Sequence, residues 1–280
     1  MGIGGETLPD RPPIGRDTTL CMSLAGRPGH FGSRFHNRLY ALLGLDYIYK
    51  AFSTNDLAGA IGGIRALGIR GCAVSMPFKE AVIPLLDVLD PSARAIDSVN
   101  TIVNDGGTLS GFNTDYLAIR TLLARHRIAS GTRFLLRGSG GMAKAVVAAL
   151  RDAGFRDGTI VARNAGAGPA LAARYGFAWT ADLEARTAPL LINVTPMGME
   201  GPDADVLAFP EAAIASCAIA LDVVALPSET PFLTAARRSG ALCISGHDVV
   251  VLQGLEQFIR YTGVTPSPAQ VADAAAYART

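Results

Sequence analysis

The chain has 280 residues, enough for two domains that each bury a core. Its net charge of +1 gives no reason to expect a nucleic acid or a membrane surface as a partner. No apolar run reaches the ~18 residues that a membrane-spanning helix needs. The four cysteines form no Cys-x-x-Cys pair, so we predict reduced thiols in a cytoplasmic protein and no metal site.

Short apolar runs alternate with segments whose apolar residues recur at helical spacing, which predicts strands joined by crossover helices. Residues 1–17, rich in Gly and Pro, predict a mobile tail. Strands are predicted at Leu20–Leu24, Tyr47–Phe52, Gly71–Ser75, Val99–Asn104, Arg133–Arg137, Thr159–Ala162, Leu190–Val194, Ile219–Val224 and Leu242–Ser245. Helices are predicted at Arg34–Leu43, Asp56–Leu67, Asp115–Ile128, Val249–Thr262 and Pro268–Ala278.

This order of elements predicts an α/β fold of two layered units rather than a single sheet of nine strands. The long amphipathic helix at Asp115–Ile128 would join the two units. We expect the last two helices to return to the first unit.

A glycine-rich turn follows the predicted strand at Arg133–Arg137 and precedes an alanine-rich helix. Its G-x-G-x-x-A pattern comprises Gly138, Ser139, Gly140, Gly141, Met142 and Ala143. Glycines let the backbone approach a pyrophosphate, and the helix start supplies unpaired N–H groups. The pattern therefore predicts a dinucleotide site, the alternative being a purely structural turn.

The residues after the next strand indicate which dinucleotide is bound. NAD sites usually carry an acidic residue there for the ribose hydroxyls, whereas NADP needs a cation for its 2′-phosphate. This chain has Arg163 and Asn164 and no acid. A guanidinium can bind two phosphate oxygens at once, so NADP is favoured over NAD. The alternative is an ordinary solvated arginine at a strand end.

Lysine is rare in this chain, and one of its three lysines, Lys79, follows the predicted strand at Gly71–Ser75. A carboxylate, Asp115, lies downstream, before the glycine turn. An amine that exchanges a proton, an acid that orients it and a dinucleotide site together indicate a hydride-transfer enzyme. An ordinary ion pair between the two side chains is the alternative.

Several motifs in this order resemble the shikimate dehydrogenase family over residues 18 to about 265. The matching stretches are Ser75–Lys79, Ser98–Ile102, Gly111–Asp115, Gly138–Ala143, Asn193–Met199, Thr230–Pro231 and Gly246–Gln253. The detail of residues 26–37 and 70–80 is most similar to the divergent shikimate dehydrogenase-like subgroup.

The resemblance implies a substrate domain with a mixed or parallel sheet, formed by residues 18–114 and 249–280. It also implies a Rossmann domain that binds NADP, formed by residues 115–248. Lys79 would move the proton of the reacting hydroxyl and Asp115 would orient its amine. The substrate hydroxyls would be bound by Ser75, Asn100 and Gln253, and the nicotinamide side lined by Thr195 and Met197.

The chain departs from the family pattern where the substrate carboxylate should bind. His30 and Gly32 stand in place of a Ser-x-Ser pair, with Ser33 one position off, and Ala225–Pro227 replaces Tyr-Asn-Pro. We therefore predict a rebuilt carboxylate end, in which His30, Ser33 or Arg34 replaces the lost donors.

The resemblance and the departures from it together imply an NADP-dependent oxidoreductase that interconverts a cyclic polyhydroxy acid and its ketone, slowly or with altered specificity on shikimate. The resemblance also implies a reaction type of aromatic amino acid biosynthesis. Dehydrogenation of quinate or aminoshikimate is an alternative, as is a non-catalytic sensor of NADP or a metabolite. The sequence leaves a monomer and a homodimer equally open.

Overall fold

The computed structural model describes residues 12–279, so residues 1–11 of the predicted tail lie outside the described residues. The chain forms two compact units. Among the described residues, one unit consists of residues 12–114 and 254–279, and the other is Asp115–Gln253.

The first unit contains a six-stranded sheet in the order β2-β1-β3-β5-β6-β4. Its strands are β1 (Thr19–Leu24), β2 (Tyr47–Phe52), β3 (Gly71–Val74), β4 (Val88–Leu89), β5 (Thr101–Asp105) and β6 (Thr108–Phe112). Its early helices are α1 (Phe31–Leu42), α2 (Leu57–Ala66), α3 (Phe78–Ala81) and α4 (Pro91–Arg94). The sheet is mixed, because β1 is parallel to β2 and β3 whereas β5 is antiparallel to β3 and β6.

The hairpin of β5 and β6 makes the sheet mixed, which is one of the two sheet types that the resemblance implied. The turn contains Gly106 and Gly107, both with positive φ, and β6 is half polar. Glycines with φ > 0 are what a tight hairpin turn requires. An antiparallel return with so few apolar residues gives little periodic signal, so the sequence analysis missed β6.

The aromatic core of the first unit encloses a histidine. His36 of α1 is fully buried, and its ring stacks on Tyr49 at a centroid distance of 4.4 Å. Burial lowers the pKa of His36 to about 3, and the neighbouring Gln257 offsets this only in part. The imidazole is therefore neutral in the folded unit at physiological pH.

The second unit contains a six-stranded sheet in the order β12-β11-β10-β7-β8-β9 with every pair parallel. Its strands are β7 (Phe134–Arg137), β8 (Gly158–Val161), β9 (Ala178–Thr180), β10 (Leu190–Asn193), β11 (Ile219–Asp222) and β12 (Leu242–Ile244). Its helices include α5 (Thr114–Arg125), α6 (Gly141–Asp152), α7 (Ala167–Tyr175), α8 (Glu211–Ala215) and α9 (Pro231–Arg238). The strand order reverses between β7 and β10, which is where open parallel sheets bind ligands.

Two further helices, α10 (Gly246–Thr262) and α11 (Pro268–Tyr277), end the chain. The predicted boundary at residues 248 and 249 and the observed division after Gln253 both fall within α10. Helix α11 packs in the first unit, where Arg38 of α1 donates to Asp273 at 2.9 Å. The return of the last helices to the first unit is thus confirmed.

Candidate active site

A pocket of about 690 Å³ opens in the second unit at the carboxyl ends of β7, β8 and β10. It gathers residues from the glycine turn, from the end of β8 and from the segment after β10. The predicted cofactor residues that line it are Gly138, Ser139, Gly140, Arg163, Asn164, Thr195 and Met197.

The glycine turn depends on Gly138. This residue has φ of +124°, and a Cβ built on it would lie 2.8 Å from Cγ2 of Val194. Its N–H donates to the carbonyl of Val161 at 2.9 Å. Only glycine combines this backbone conformation with so close an approach to Val194, the residue that follows β10.

Three residues of the predicted motif do not line the pocket: Gly141, Met142 and Ala143. Gly141 begins α6, and Ala143 is fully buried in that helix. Ala143 therefore serves helix packing, which is the part that the last position of such motifs plays.

The end of β8 is cationic. Arg163 is exposed, lines the pocket and forms no ion pair with any described residue. The Oδ1 atom of Asn164 accepts hydrogen bonds from the N–H groups of Gly166 and Ala167 at 3.0 and 2.9 Å, so its side chain shapes the start of α7. A second arginine that the sequence analysis did not single out, Arg137, lines the same pocket.

A buried polar network fixes the segment after β10. Oδ1 of Asn193 accepts from the hydroxyl of Thr195 at 2.6 Å, and its Nδ2 donates to the carbonyl of Met197 at 3.2 Å. The same Nδ2 donates to Asp222 of β11 at 2.9 Å, and Thr230 donates to Asp222 at 2.7 Å. Burial raises the pKa of Asp222 to about 6. The sequence analysis missed this network.

The pocket residues fit a phosphate-bearing dinucleotide. The glycine turn brings backbone close to the start of a twelve-residue helix, α6, and two guanidiniums face the pocket. Backbone N–H groups at a helix start and arginine forks are the groups that bind phosphate in proteins. The position directly after β8 carries Ala162 and Arg163, with no acidic side chain to repel a 2′-phosphate.

The predicted substrate residues Ser75 and Lys79 lie just past the carboxyl end of β3 in the first unit. Ser75 is exposed, and Lys79 is half-buried in α3. The carbonyl of Lys79 accepts a hydrogen bond from the N–H of Val99 at 2.8 Å. This bond ties the lysine to the segment that contains Asn100.

Asn100 is fully buried and presents a donor without a partner. Its Oδ1 accepts from the backbone N–H of Thr114 and from the hydroxyl of Thr101, both at 2.8 Å. A backbone N–H can only donate, so it fixes which end of the amide is oxygen. Nδ2 then has no hydrogen-bond partner among the described residues. A buried donor left unpaired is costly, which fits a group that a ligand hydroxyl completes.

His30, Ser33 and Arg34 lie at the start of α1, which follows the carboxyl end of β1. His30 is exposed, and Ser33 and Arg34 are half-buried. Nearby, the N–H of Gly26 donates to the carbonyl of Met76 at 2.9 Å, which joins the loops after β1 and β3. His30, Ser33 and Arg34 therefore share a sheet edge with Ser75.

Two predicted site residues belong to the second unit. Asp115 is 5% exposed in the first turn of α5, and Gln253 is half-buried in α10. Their action together with Lys79 stays a prediction.

Residues 12–279 also bear on metal binding and on membrane insertion. No group of three His, Cys, Asp or Glu side chains converges there in a way that could hold a metal ion. None of the helices in this range combines the length and the apolar character that a membrane crossing requires. All four cysteines are free thiols.

The fold and its pocket are those of a Rossmann-type protein with a separate α/β unit for a second ligand, and known proteins share them. The family model described as the shikimate dehydrogenase substrate binding domain matches residues 31–102. The shikimate dehydrogenase-like protein of Haemophilus influenzae is 54% identical over 268 residues, covering 95% of this chain and 99% of that protein. The shikimate dehydrogenase (NADP(+)) of Moorella thermoacetica is 39% identical over 266 residues, covering 88% and 89%.

Solved structures show the same similarity as these sequences do. A shikimate 5-dehydrogenase-like protein superposes with a TM-score of 0.94 at 54% identity, covering 96% of this chain and 100% of that one. The shikimate 5-dehydrogenase of Thermus thermophilus, in complex with NADP(H) and shikimate, gives a TM-score of 0.84 at 31% identity, covering 93% and 99%. The chain belongs to the shikimate dehydrogenase family, as its motifs predicted.

Proposed function

We propose that this protein is an NADP-dependent oxidoreductase that interconverts a cyclic polyhydroxy acid and its ketone, with low or altered activity on shikimate itself. The observation that carries the proposal is the open amide donor of Asn100. It adjoins Val99, whose N–H binds the carbonyl of Lys79. A donor for a substrate hydroxyl is thereby joined through one backbone hydrogen bond to the lysine that would exchange the proton.

The chemistry divides between cofactor and protein. When bound, NADP accepts or returns the hydride at the reacting carbon. In this proposal Lys79 takes the proton of the hydroxyl on that carbon during oxidation, and the predicted role of Asp115 is to orient the lysine amine. Asn100 donates from Nδ2 to a neighbouring hydroxyl, and Ser75 and Gln253 bind others. The buried amide discriminates between substrates because a ligand without that hydroxyl leaves it unpaired.

The carboxylate end of the site supports an altered specificity. Leu226, next to Ala225 in place of the family's Tyr-Asn, is 59% exposed and offers no polar side-chain group. Arg34 forms no ion pair with a described residue, and it lies beside Ser33 at the start of α1. Ser33, Arg34 or His30 would bind the anionic group of the substrate.

The substrate panel should therefore be broad. It includes shikimate, quinate and aminoshikimate as cyclic hydroxy acids. It also includes an uncharged polyol ketone, because a structure named 5-ketofructose reductase of a Gluconobacter strain matches with a TM-score of 0.81 at 28% identity. Turnover of shikimate as fast as that of the Moorella enzyme, assayed side by side, would contradict the altered specificity.

The proposed role of Lys79 is tested with Lys79→Ala against Lys50→Ala, the latter removing an exposed lysine of β2. General acid–base groups contribute about 10²- to 10⁴-fold in rate, so Lys79→Ala should lower kcat by that range while Lys50→Ala leaves it unchanged. NADPH formation at alkaline pH is the measurement. Equal kcat in both variants on the best substrate would refute the assignment.

A non-catalytic sensor of NADP or a metabolite is the second candidate, favoured by the rebuilt carboxylate end. Such a sensor would bind NADP and show no turnover with any member of the panel. We also propose a cytoplasmic location, supported by the four free thiols, and a small-molecule partner rather than a nucleic acid. Sedimentation would decide between monomer and homodimer.

A further inference from the structure

Arg137 occupies a central position in the nucleotide pocket. It is the last residue of β7 and directly precedes Gly138. In the sheet register it pairs with Asn193 of β10 on one side and with Val161 of β8 on the other. It therefore stands where the strand order reverses, between the glycine turn and the end of β8.

The guanidinium of Arg137 is half-buried and only partly bonded. One of its N–H groups donates to the carbonyl of Ala208. No described carboxylate forms an ion pair with it, although Asp182 and Asp203 also line the pocket. An arginine carries five N–H donors in a fixed fork, so most of its donors are available to a ligand.

The two arginines of the pocket oppose each other electrostatically. Burial lowers the pKa of Arg137, and the positive charge of Arg163 lowers it further. Like charges that share a pocket and form no ion pair with a described carboxylate are unfavourable, and an anion between them relieves the repulsion. Phosphate matches the fork of arginine particularly well.

We propose that Arg137 is a second phosphate-binding residue of the nucleotide pocket and acts with Arg163 on the phosphate groups of the dinucleotide. This inference rests on the proposed use of NADP and adds a residue to it. Both the 2′-phosphate and the diphosphate have the chemistry that these two guanidiniums recognise.

The test compares Arg137→Met with Arg133→Met by calorimetric titration of NADP⁺. Arg133 is a matched control, because it precedes the same strand at its other end and likewise donates to one backbone carbonyl, that of Thr187. A charged hydrogen-bonded contact is worth about 1.5–3 kcal/mol, so Arg137→Met should bind NADP⁺ about 10- to 100-fold more weakly. Arg133→Met should bind as the wild type does.

Further ligands identify the phosphate. Weaker binding of NADP⁺ and 2′,5′-ADP with unchanged NAD⁺ binding assigns Arg137 to the 2′-phosphate, and weaker binding of both dinucleotides assigns it to the diphosphate. The NADP⁺ affinity of Arg137→Met should also depend less steeply on salt concentration. The titrations are carried out well below the melting temperature of each variant. Every variant is then folded, so the loss of the hydrogen bond from Arg137 to Ala208 does not lower the measured affinity through unfolding.

Affinities that are equal in Arg137→Met and Arg133→Met for all three ligands would overturn the inference. A wild type that binds NADP⁺ through Arg137 but shows no Lys79-dependent turnover would instead overturn the proposed enzyme activity alone. Arg137→Lys, which keeps the charge but not the fork, should fall between wild type and Arg137→Met.

Discussion

Asp222 shows how one buried residue can act on a site that it does not line. Its carboxylate accepts hydrogen bonds from Thr230, from Asn193 and from the N–H of Val224. Asn193 in turn holds Thr195, at the wall of the pocket. Burial nonetheless outweighs these three bonds and raises the pKa of Asp222 to about 6. Ionising this carboxylate therefore costs the folded protein stability.

The pH dependence of stability tests this cost through Asp222→Asn, which keeps the shape and the acceptor oxygen. The ordinary pKa of 3.8 applies to the unfolded chain. Because the folded value is higher, the contribution of Asp222 to the free energy of unfolding falls as the pH rises from about 4 to 6, by about 1.4 kcal/mol per unit at most. In urea unfolding from pH 4 to 7, the free energy of unfolding of the wild type minus that of Asp222→Asn should show this decline, because the other titrating groups are common to both proteins. Parallel profiles would contradict it.

At the scale of elements, the turn between β7 and α6 depends on glycine at one position more than at the others. Gly138 has a positive φ and a neighbour at 2.8 Å, whereas a Cβ on Gly141 meets nothing within 4 Å. Substitution by alanine should therefore destabilise the protein at Gly138 and not at Gly141.

We expect Gly138→Ala to lower the free energy of unfolding by about 1–3 kcal/mol, because it combines backbone strain with a clash. Gly141→Ala should be neutral or slightly stabilising, since alanine is favoured within helices. Thermal unfolding of both apoproteins is the measurement. A Gly138→Ala protein as stable as Gly141→Ala would show that the turn can relax.

The sequence predicted those elements whose signal is local. β2 was predicted with its observed bounds, and the glycine turn was recognised because the turn geometry itself requires glycine. The strands β4, β6 and β9 were missed because they are short or half polar.

The site residues likewise fall into those that a local motif reveals and those that it does not. Lys79 and the glycine turn belong to contiguous motifs, whereas Arg137 and Asp222 gain their meaning from the register that pairs each with Asn193. That register depends on packing of the whole sheet and cannot be read from either segment alone. An arginine ending an otherwise apolar strand, directly before Gly138, was the available signal for Arg137.

At the scale of the molecule, His36 makes the first unit sensitive to acid. Its pKa is about 3 when folded and 6.5 ordinarily, so the unfolded chain binds the proton more tightly. The free energy of unfolding should fall by about 1.4 kcal/mol per pH unit as the pH drops below 6.5. Hydrogen exchange of β1 and β2 amides from pH 7 to 4, corrected for intrinsic rates, should reveal this decline.

The variant His36→Phe, which can still stack on Tyr49, should weaken the acid sensitivity. The matched control His126→Phe replaces a histidine of the second unit and should leave it as in the wild type. If the free energy of unfolding of His36→Phe depends on pH as steeply as that of the wild type, another group causes the acid sensitivity.

The buried side chains of His36 and Asp222 lie in different units, His36 in the first and Asp222 in the second. Between pH 6.5 and 4 the first favours unfolding as protons are added, and the second opposes it. Acid therefore lowers the stability of the first unit and raises that of the second. At low pH a protease should therefore cleave within the first unit before it cleaves within the unit that contains the glycine turn.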